Sequence, residues 1–110
     1  MIADVYAALL ARADGVCECG CCLRFDSSME GRATADHFHG RGKAEESAAT
    51  CWLLRWDHHE AKTQNRPDAL TWYVRFLIHS AKLGHWEQVE RALARIFTLK
   101  AREKFKEIKG

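Results

Sequence analysis

Four of the five cysteines in this chain lie within a stretch of six residues, at positions 17, 19, 21 and 22. Thiols so close in sequence cannot connect distant parts of a fold, so disulfide bonds between them would stabilise it little. In a reducing compartment, such a cluster is typical of a metal site, most often zinc. The sequence therefore predicts that this part of the chain is organised around a metal ion.

The 110 residues suffice for one domain, and a second core would need a longer chain. Hydrophobic residues make up 47% and charged residues 29%, a composition that excludes disorder for most of the chain. No stretch approaches the roughly 18 apolar residues of a membrane helix. The first four residues, Met-Ile-Ala-Asp, do not resemble the basic start of a secretory signal. We therefore expect a cytoplasmic protein that does not associate with membranes.

The net charge of +2 conceals a gradient along the chain. Residues 1–35 carry three basic and five acidic side chains, and residues 36–67 carry five of each. Residues 68–110 carry nine basic and five acidic side chains. The C-terminal part is therefore the part that favours a polyanionic partner such as DNA.

The spacing of apolar residues predicts a mostly helical α+β domain. Long patterns at helical spacing lie near both ends of the chain, and two short apolar runs between them are typical of strands. We expect a helix over residues 2–13, strands over 32–36 and 51–56, a helix from His58 towards Asn65, and two helices after Pro67. The single domain 1–110 then divides into an N-terminal helical segment (1–15), a central segment (16–66) and C-terminal helices (67–110).

Chemistry-bearing residues concentrate in the central segment, where four of the six histidines lie between positions 37 and 59. Asp36 and His37 stand at the end of the first predicted strand, and a Gly40-Arg41-Gly42 loop follows them. His58 and His59 follow the second predicted strand, and Lys62-Thr63 comes one helical turn later.

This order of motifs resembles the HNH family of nucleases, in particular phage or prophage enzymes. The resemblance covers about residues 17–66 and rests on the Asp36-His37 dyad, the Gly-Arg-Gly loop and the His59-x-x-Lys62-Thr63 ending. It implies a ββα-metal core, in which a β-hairpin and a helix hold one catalytic divalent ion, together with a zinc knuckle. It also implies a phosphodiester hydrolase that cuts or nicks double-stranded DNA.

The resemblance implies a role for each matching residue. His37 would be the general base, because an imidazole titrates near pH ~6.5 and accepts a proton at neutral pH. Asp36 and His59 would bind the catalytic ion, which could be Mg, Mn or Zn. Thr50 falls where the family has a catalytic Asn, and its hydroxyl could bond the backbone around His37. A separate pair of basic residues, Arg41 and Lys62, is implied to contact DNA phosphates.

The zinc ligands are less fully determined by the pattern. Cys19 and Cys22 have the Cys-x-x-Cys spacing of a zinc knuckle, and Cys17 could replace or join either of them. The resemblance implies His58 as the third ligand, because the helix-side cysteine of the family falls there. The fourth ligand stays open between Cys17, Cys51 and Cys21. The alternative is a group of reduced cysteines without metal.

Two other functions compete with the nuclease. One is a zinc-stabilised nucleic-acid-binding module without catalytic activity, which the threonine at position 50 favours. The other is a structural or interaction protein in which zinc only supports folding. An open site containing a carboxylate and His59 would favour the nuclease, whereas a closed four-ligand site using His59 would favour the structural protein.

Overall fold

The computed structural model of the protein describes residues 3–40, 42 and 44–109. Within these residues the chain forms four helices and a two-stranded antiparallel sheet, which confirms the expected mostly helical α+β class. No helix among them combines the length and apolar character needed to cross a bilayer. The elements are α1 (Ala3–Ala13), β1 (Ala33–His37), β2 (Cys51–Arg55), α2 (Trp56–Thr63), α3 (Ala69–Lys82) and α4 (Trp86–Lys109).

The two strands form the centre of the fold, and β2 is its most buried element. Four consecutive residues of β2, Cys51 to Leu54, are fully buried because both faces of the strand are covered. Trp52 and Leu54 belong to a cluster that includes residues of α3, whereas Cys51 and Leu53 pack against α1 on the opposite face. Burying one such side chain contributes about 1.5–3 kcal/mol, so this strand is the main source of hydrophobic stabilisation.

The hairpin register brings two predicted site residues to the end that the loop 38–50 closes. Asp36 lies opposite Trp52, and His37, the last residue of β1, lies opposite Cys51. A turn follows at once: the Gly40 amide donates to the His37 carbonyl at 2.8 Å, and Gly40 has a φ of 89°, which favours glycine. On the other strand, α2 begins directly after Arg55 with no intervening loop. The hairpin and α2 therefore form one continuous unit.

Helices α3 and α4 form a hairpin at the C-terminal end. The Asp68 side chain caps α3 by accepting a hydrogen bond from the Thr71 amide at 2.7 Å. Because Asp68 is the cap, the helix begins after it, and Pro67 directly precedes the cap. Gly84, with a φ of 73°, turns the chain into α4. Since α4 has 24 residues and α3 has 14, α4 extends about 15 Å beyond its neighbour.

A buried ion pair connects α1 to the cysteine-containing loop. Arg12 binds both carboxylate oxygens of Glu18, at 2.7 and 3.0 Å, and also donates to the carbonyls of Ala48 and Cys51. The Leu53 amide donates to the same Glu18 carboxylate at 2.8 Å. These contacts fix the loop that carries Cys17 and Cys19 against the edge of β2.

His79 lies next to this ion pair and gives the fold a pH dependence. Its ring packs on Trp52, and Nε2 lies 3.8 Å from Glu18, which is too far for a hydrogen bond. Burial lowers the pKa of His79 from the usual 6.5 to about 4. Below pH 6.5 the unfolded chain therefore binds a proton that the folded chain takes up only near pH 4. The stability contributed by the neutral ring is present above pH 6.5 and is lost as the pH falls towards 4.

We expect the protein to lose about 2 kcal/mol of unfolding free energy from His79 between pH 7.5 and pH 5.0. A His79→Leu variant should lose correspondingly less, because leucine does not titrate. Denaturant unfolding of both proteins at the two pH values measures the difference, and other titrating groups contribute equally to both. Equal pH dependence in the two proteins would contradict this role for His79.

Candidate functional site

A cleft of about 660 Å³ opens where the β-hairpin meets α2 and α3. Asp36 and His37 line it from β1, and His59 and Lys62 line it from α2. These four residues are separated by up to 26 positions in sequence, and the hairpin brings them together because β2 leads straight into α2. The cleft therefore contains the acidic and basic side chains that the sequence pattern singles out.

Asp36 is the most deeply buried ionisable group of the cleft, with 2% of its surface exposed. Trp52 donates to its carboxylate from Nε1 at 2.8 Å, and His59 Nδ1 lies 2.9 Å from the other oxygen. Lys62 Nζ lies 3.0 and 3.3 Å from the two oxygens. Burial by itself would raise the pKa of Asp36, but these three partners outweigh it and lower the pKa below its usual 3.8. Asp36 is therefore an anion at neutral pH.

His37 is paired with a carboxylate that the sequence analysis missed. Its Nε2 lies 2.6 Å from an oxygen of Glu46, in the loop between the strands. An ionised carboxylate can only accept, so this contact places the ring hydrogen on Nε2 and leaves Nδ1 able to take a proton. Glu46 belongs to a stretch of small and acidic residues that is typical of a surface loop. Nothing in its local sequence indicates that it folds back onto His37.

Thr50 does not occupy the position that the resemblance implies. Its hydroxyl donates to the Glu45 carbonyl at 2.6 Å and accepts from the Ser47 amide at 3.0 Å. It therefore closes the turn between the strands and does not bond the backbone around His37. The Thr50 backbone does reach that region, since its carbonyl accepts from the Phe38 amide at 3.2 Å.

Of the two residues predicted to contact phosphates, the structure describes only Lys62. Arg41 lies outside the residues that the structure describes. Lys62 lines the cleft, but its ammonium group pairs with Asp36 and lies 5.0 Å above the Phe38 ring. Another residue of the cleft wall, His39, is turned towards α4, where its Nε2 lies 2.7 Å from Gln88 Oε1. Burial lowers the pKa of His39, so its ring is neutral at pH 7.

A second cluster lies on the other side of α2 and consists of Cys17, Cys19, Cys21 and His58. The four potential ligand atoms all lie within 4.8 Å of one another. The Cys17 and Cys19 sulfurs are 3.5 Å apart, and His58 Nδ1 lies 3.5 and 3.3 Å from them. Tetrahedral zinc with Zn–S bonds of about 2.3 Å would hold sulfurs roughly 3.8 Å apart. The group thus has the composition and compactness of a Cys₃His metal site.

The ionisation of this cluster also suits a metal. A hydrogen bond from Cys17 lowers the pKa of Cys19 to about 5, and the same bond, with burial, raises the pKa of Cys17. One thiolate therefore forms readily, and the thiolate is the metal-binding form. Further donors surround the sulfurs: Arg75 Nη1 lies 3.6 Å from Cys19, and the Arg55 and Leu23 amides lie 3.4 Å from Cys17 and Cys21.

The cluster differs from the expected ligand set at one position. Cys22, expected to pair with Cys19, is exposed, and its sulfur is 3.9 Å from the Gly20 carbonyl. Cys21 takes its place, because alternate residues 17, 19 and 21 converge before Cys22, at a φ of 65°, turns the chain away. Cys51, another candidate for the fourth ligand, is buried in β2 against α1. His58 is in the cluster as expected.

The two clusters meet on α2 at consecutive residues. His58 faces the cysteines, whereas His59, the next residue, contacts Asp36 in the cleft. Successive helical residues are about 100° apart around the axis, so one short helix serves both sites. Among residues 3–40, 42 and 44–109, only the cysteine cluster joins three or more potential metal ligands. No family model matches this chain, and neither does any curated protein or solved structure compared with it.

Proposed function

We propose that the protein is a metal-dependent DNA endonuclease of the HNH type, which hydrolyses or nicks double-stranded DNA. The observation that carries the proposal is the convergence of Asp36, His37 and His59 on one cleft at the junction of a β-hairpin and a helix. A carboxylate and two imidazoles supply the types of ligand and base that phosphodiester hydrolysis requires.

In this mechanism His37 removes a proton from the attacking water. Glu46 holds the ring through Nε2 at 2.6 Å, which keeps Nδ1 as the accepting nitrogen. The same carboxylate stabilises the imidazolium that forms, because an anion lies beside the new positive charge. His37 and Glu46 thus form a dyad in which Glu46 acts only through the histidine.

A divalent ion fits this cleft through Asp36 and His59. Mg²⁺ usually takes one or two protein ligands and completes its shell with water and substrate phosphate. The Asp36 carboxylate is ionised, and it lies within 2.9 Å of His59 Nδ1, so the two groups are close enough to share a cation. When bound, the ion would stabilise negative charge on the scissile phosphate and the leaving oxygen. Lys62 lies 3.0 Å from the same carboxylate and would add a positive charge beside the phosphate.

The cysteine cluster is proposed to hold a structural zinc ion. Its donors are three thiols and one imidazole, a set that is typical of closed structural sites. Zinc there would join the loop 17–21 to α2, and so would fix the helix that carries His59 and Lys62. Its role is to support the fold, and the chemistry takes place in the cleft.

Relaxation of supercoiled plasmid DNA tests the proposal directly. We expect conversion to open-circular or linear DNA with added Mg²⁺ or Mn²⁺, and none with EDTA. Asp36→Asn and His59→Ala should each abolish cleavage and weaken binding of the divalent ion, as measured by calorimetry. Cleavage by both variants at the wild-type rate would refute the assigned site, and absence of cleavage by the wild type with every metal would refute the function.

Replacing Glu46 with glutamine should lower the cleavage rate about 10- to 100-fold while KM for DNA stays nearly unchanged. The amide removes the negative charge that stabilises the imidazolium, so the acid limb of the pH–rate profile should move towards lower pH. A pH–rate profile measures this displacement. A rate and profile identical to those of the wild type would exclude Glu46 from positioning His37.

A second candidate function is a zinc-stabilised nucleic-acid-binding module without catalysis. The contacts of Asp36 favour it, since Trp52, His59 and Lys62 together satisfy the carboxylate in the manner of a buried structural ion pair. This function predicts duplex binding that does not respond to divalent ions. It also predicts that Asp36→Asn lowers thermal stability without any change in DNA affinity.

A further inference from the structure

An apolar stripe follows the face of α4 that points away from α3. It contains Trp86, Leu93, Phe97 and Ile108, with exposed fractions of 63%, 41%, 71% and 76%, together with exposed Ala101. Gln88 and Ala92, which are buried, lie on the opposite side of the helix. A single exposed apolar residue is ordinary, but five exposed apolar residues along one face of a 24-residue helix, interrupted by Glu90 and Lys104, form a surface on which another helix could pack.

We propose that this stripe, centred on Phe97, pairs α4 antiparallel with α4 of a second copy of the chain. The stripe is symmetric about Phe97: Trp86 and Ile108 lie eleven residues to either side, and Leu93 and Ala101 lie four residues to either side. An antiparallel pair with Phe97 on the two-fold axis places Trp86 against Ile108 and Leu93 against Ala101. Each apolar residue of the stripe then meets an apolar residue of the other copy.

Charge complementarity determines the direction of the pairing. Glu90 and Lys104, the charged residues within the stripe, each lie seven residues from Phe97. In the antiparallel arrangement Glu90 of one copy faces Lys104 of the other, and symmetry produces this pair twice. A parallel arrangement would place Glu90 against Glu90 and Lys104 against Lys104, which is repulsive. The sequence of α4 therefore matches one orientation and opposes the other.

The repeat also fits the geometry of two nearly straight helices. The positions of the stripe repeat every eleven residues, with successive spacings of four, three and four. They are residues 86, 90, 93, 97, 101, 104 and 108. That repeat corresponds to about 3.67 residues per turn, close to the 3.6 of an ordinary helix. The stripe consequently stays on one side of α4 and does not wind around it.

The area available matches a dimer of modest size. Large aromatic side chains bury roughly 150–250 Å² each, so the exposed parts of the stripe offer on the order of 400–500 Å² of apolar surface per copy. Two copies, with the stems of flanking charged residues, approach the 1,200–2,000 Å² of total buried surface that is usual for specific complexes, by an order-of-magnitude estimate. Gln88, which binds the cleft residue His39, lies on the far side of α4, so pairing leaves both clefts open.

Sedimentation of the full chain tests the proposal. At concentrations from about 1 to 100 µM, the wild type should reach twice the chain mass of 12.6 kDa, whereas Phe97→Glu should remain monomeric with unchanged helix content by circular dichroism. Glu90→Lys and Lys104→Glu should each weaken dimerisation about tenfold, because each creates two like-charge contacts. The double variant should return to within about threefold of the wild type.

Arg102→Glu provides the matched control. It makes the same charge change as Lys104→Glu only two positions away, but Arg102 is exposed on another face of α4, so dimerisation should be unaffected. A wild type that stays monomeric throughout, or a double variant no better than the single ones, would overturn the proposal. A monomer in which Lys104→Glu reduces duplex affinity more than Arg102→Glu would instead assign this face to nucleic acid.

Discussion

Cys21→Ser should release the tightly held zinc and abolish cooperative thermal unfolding, whereas Cys22→Ser, at the adjacent position, should do neither. Cys21 contributes one of four ligand atoms that lie within 4.8 Å of one another, and Cys22 is exposed outside the group. The binding free energy of a structural zinc is folding free energy, about 10–16 kcal/mol in small zinc-binding peptides. The binding free energy lost with one ligand should therefore exceed the net free energy of unfolding of a domain of this size.

Metal analysis after mild chelation and thermal melts of the two variants provide the measurement. We expect one retained zinc per chain in the wild type and in Cys22→Ser, and none in Cys21→Ser. If Cys21→Ser retained zinc and Cys22→Ser lost it, the ligand pair would instead be Cys19 and Cys22, as the sequence spacing suggests. Wild-type protein that contains no metal and melts at the same temperature with added zinc would refute the zinc site altogether.

Replacement of His37 by alanine should reduce DNA cleavage by ~10²–10⁴-fold, the usual cost of losing a general base. Folding and DNA affinity should change little, because the side chain is at the end of β1 and its Nε2 pairs with Glu46 of the loop between the strands. His39→Ala is the matched control, since His39 also lines the cleft but binds Gln88 of α4. That variant should keep its cleavage rate at saturating DNA.

Plasmid relaxation under metal-saturating conditions, with melting curves for both variants, distinguishes the two histidines. A His37→Ala protein that retains more than a tenth of the wild-type rate would remove His37 from the role of base. If His39→Ala lost as much activity as His37→Ala with its fold intact, the base would have to be reassigned within the cleft.

The elements of this fold are well predicted from the sequence because they depend on local periodicity. The helix expected over residues 2–13 and the strand expected over 51–56 correspond to α1 and β2 within one residue over the described residues, and two helices follow Pro67 as expected. The resemblance also implied that Asp36 and His59 share one site, and they are neighbours in the structure because a hairpin followed directly by a helix brings those positions together.

The parts that the sequence did not reveal depend on loop conformation. The choice of Cys21 over Cys22 depends on the backbone of one residue, Cys22, whose positive φ turns its side chain away. Glu46 reaches His37 only because the Thr50 hydroxyl closes the turn in which it lies. Neither the periodicity nor the motif spacing determines these loop conformations, so the sequence does not reveal that Cys21 and Glu46 belong to the two sites.

The succession of His58 and His59 on α2 has a consequence for how the protein responds to its surroundings. A rotation of this eight-residue helix that moves one histidine also moves the other, so the positions of the two side chains are coupled. Coupling of this kind is reciprocal in free energy. A ligand that stabilises the contact of His59 with Asp36 would therefore raise the affinity of the cysteines for a cation, and loss of that cation would destabilise the cleft. The concentration of the metal that binds the cysteines would then control the activity of the cleft, although that metal does not bind in the cleft.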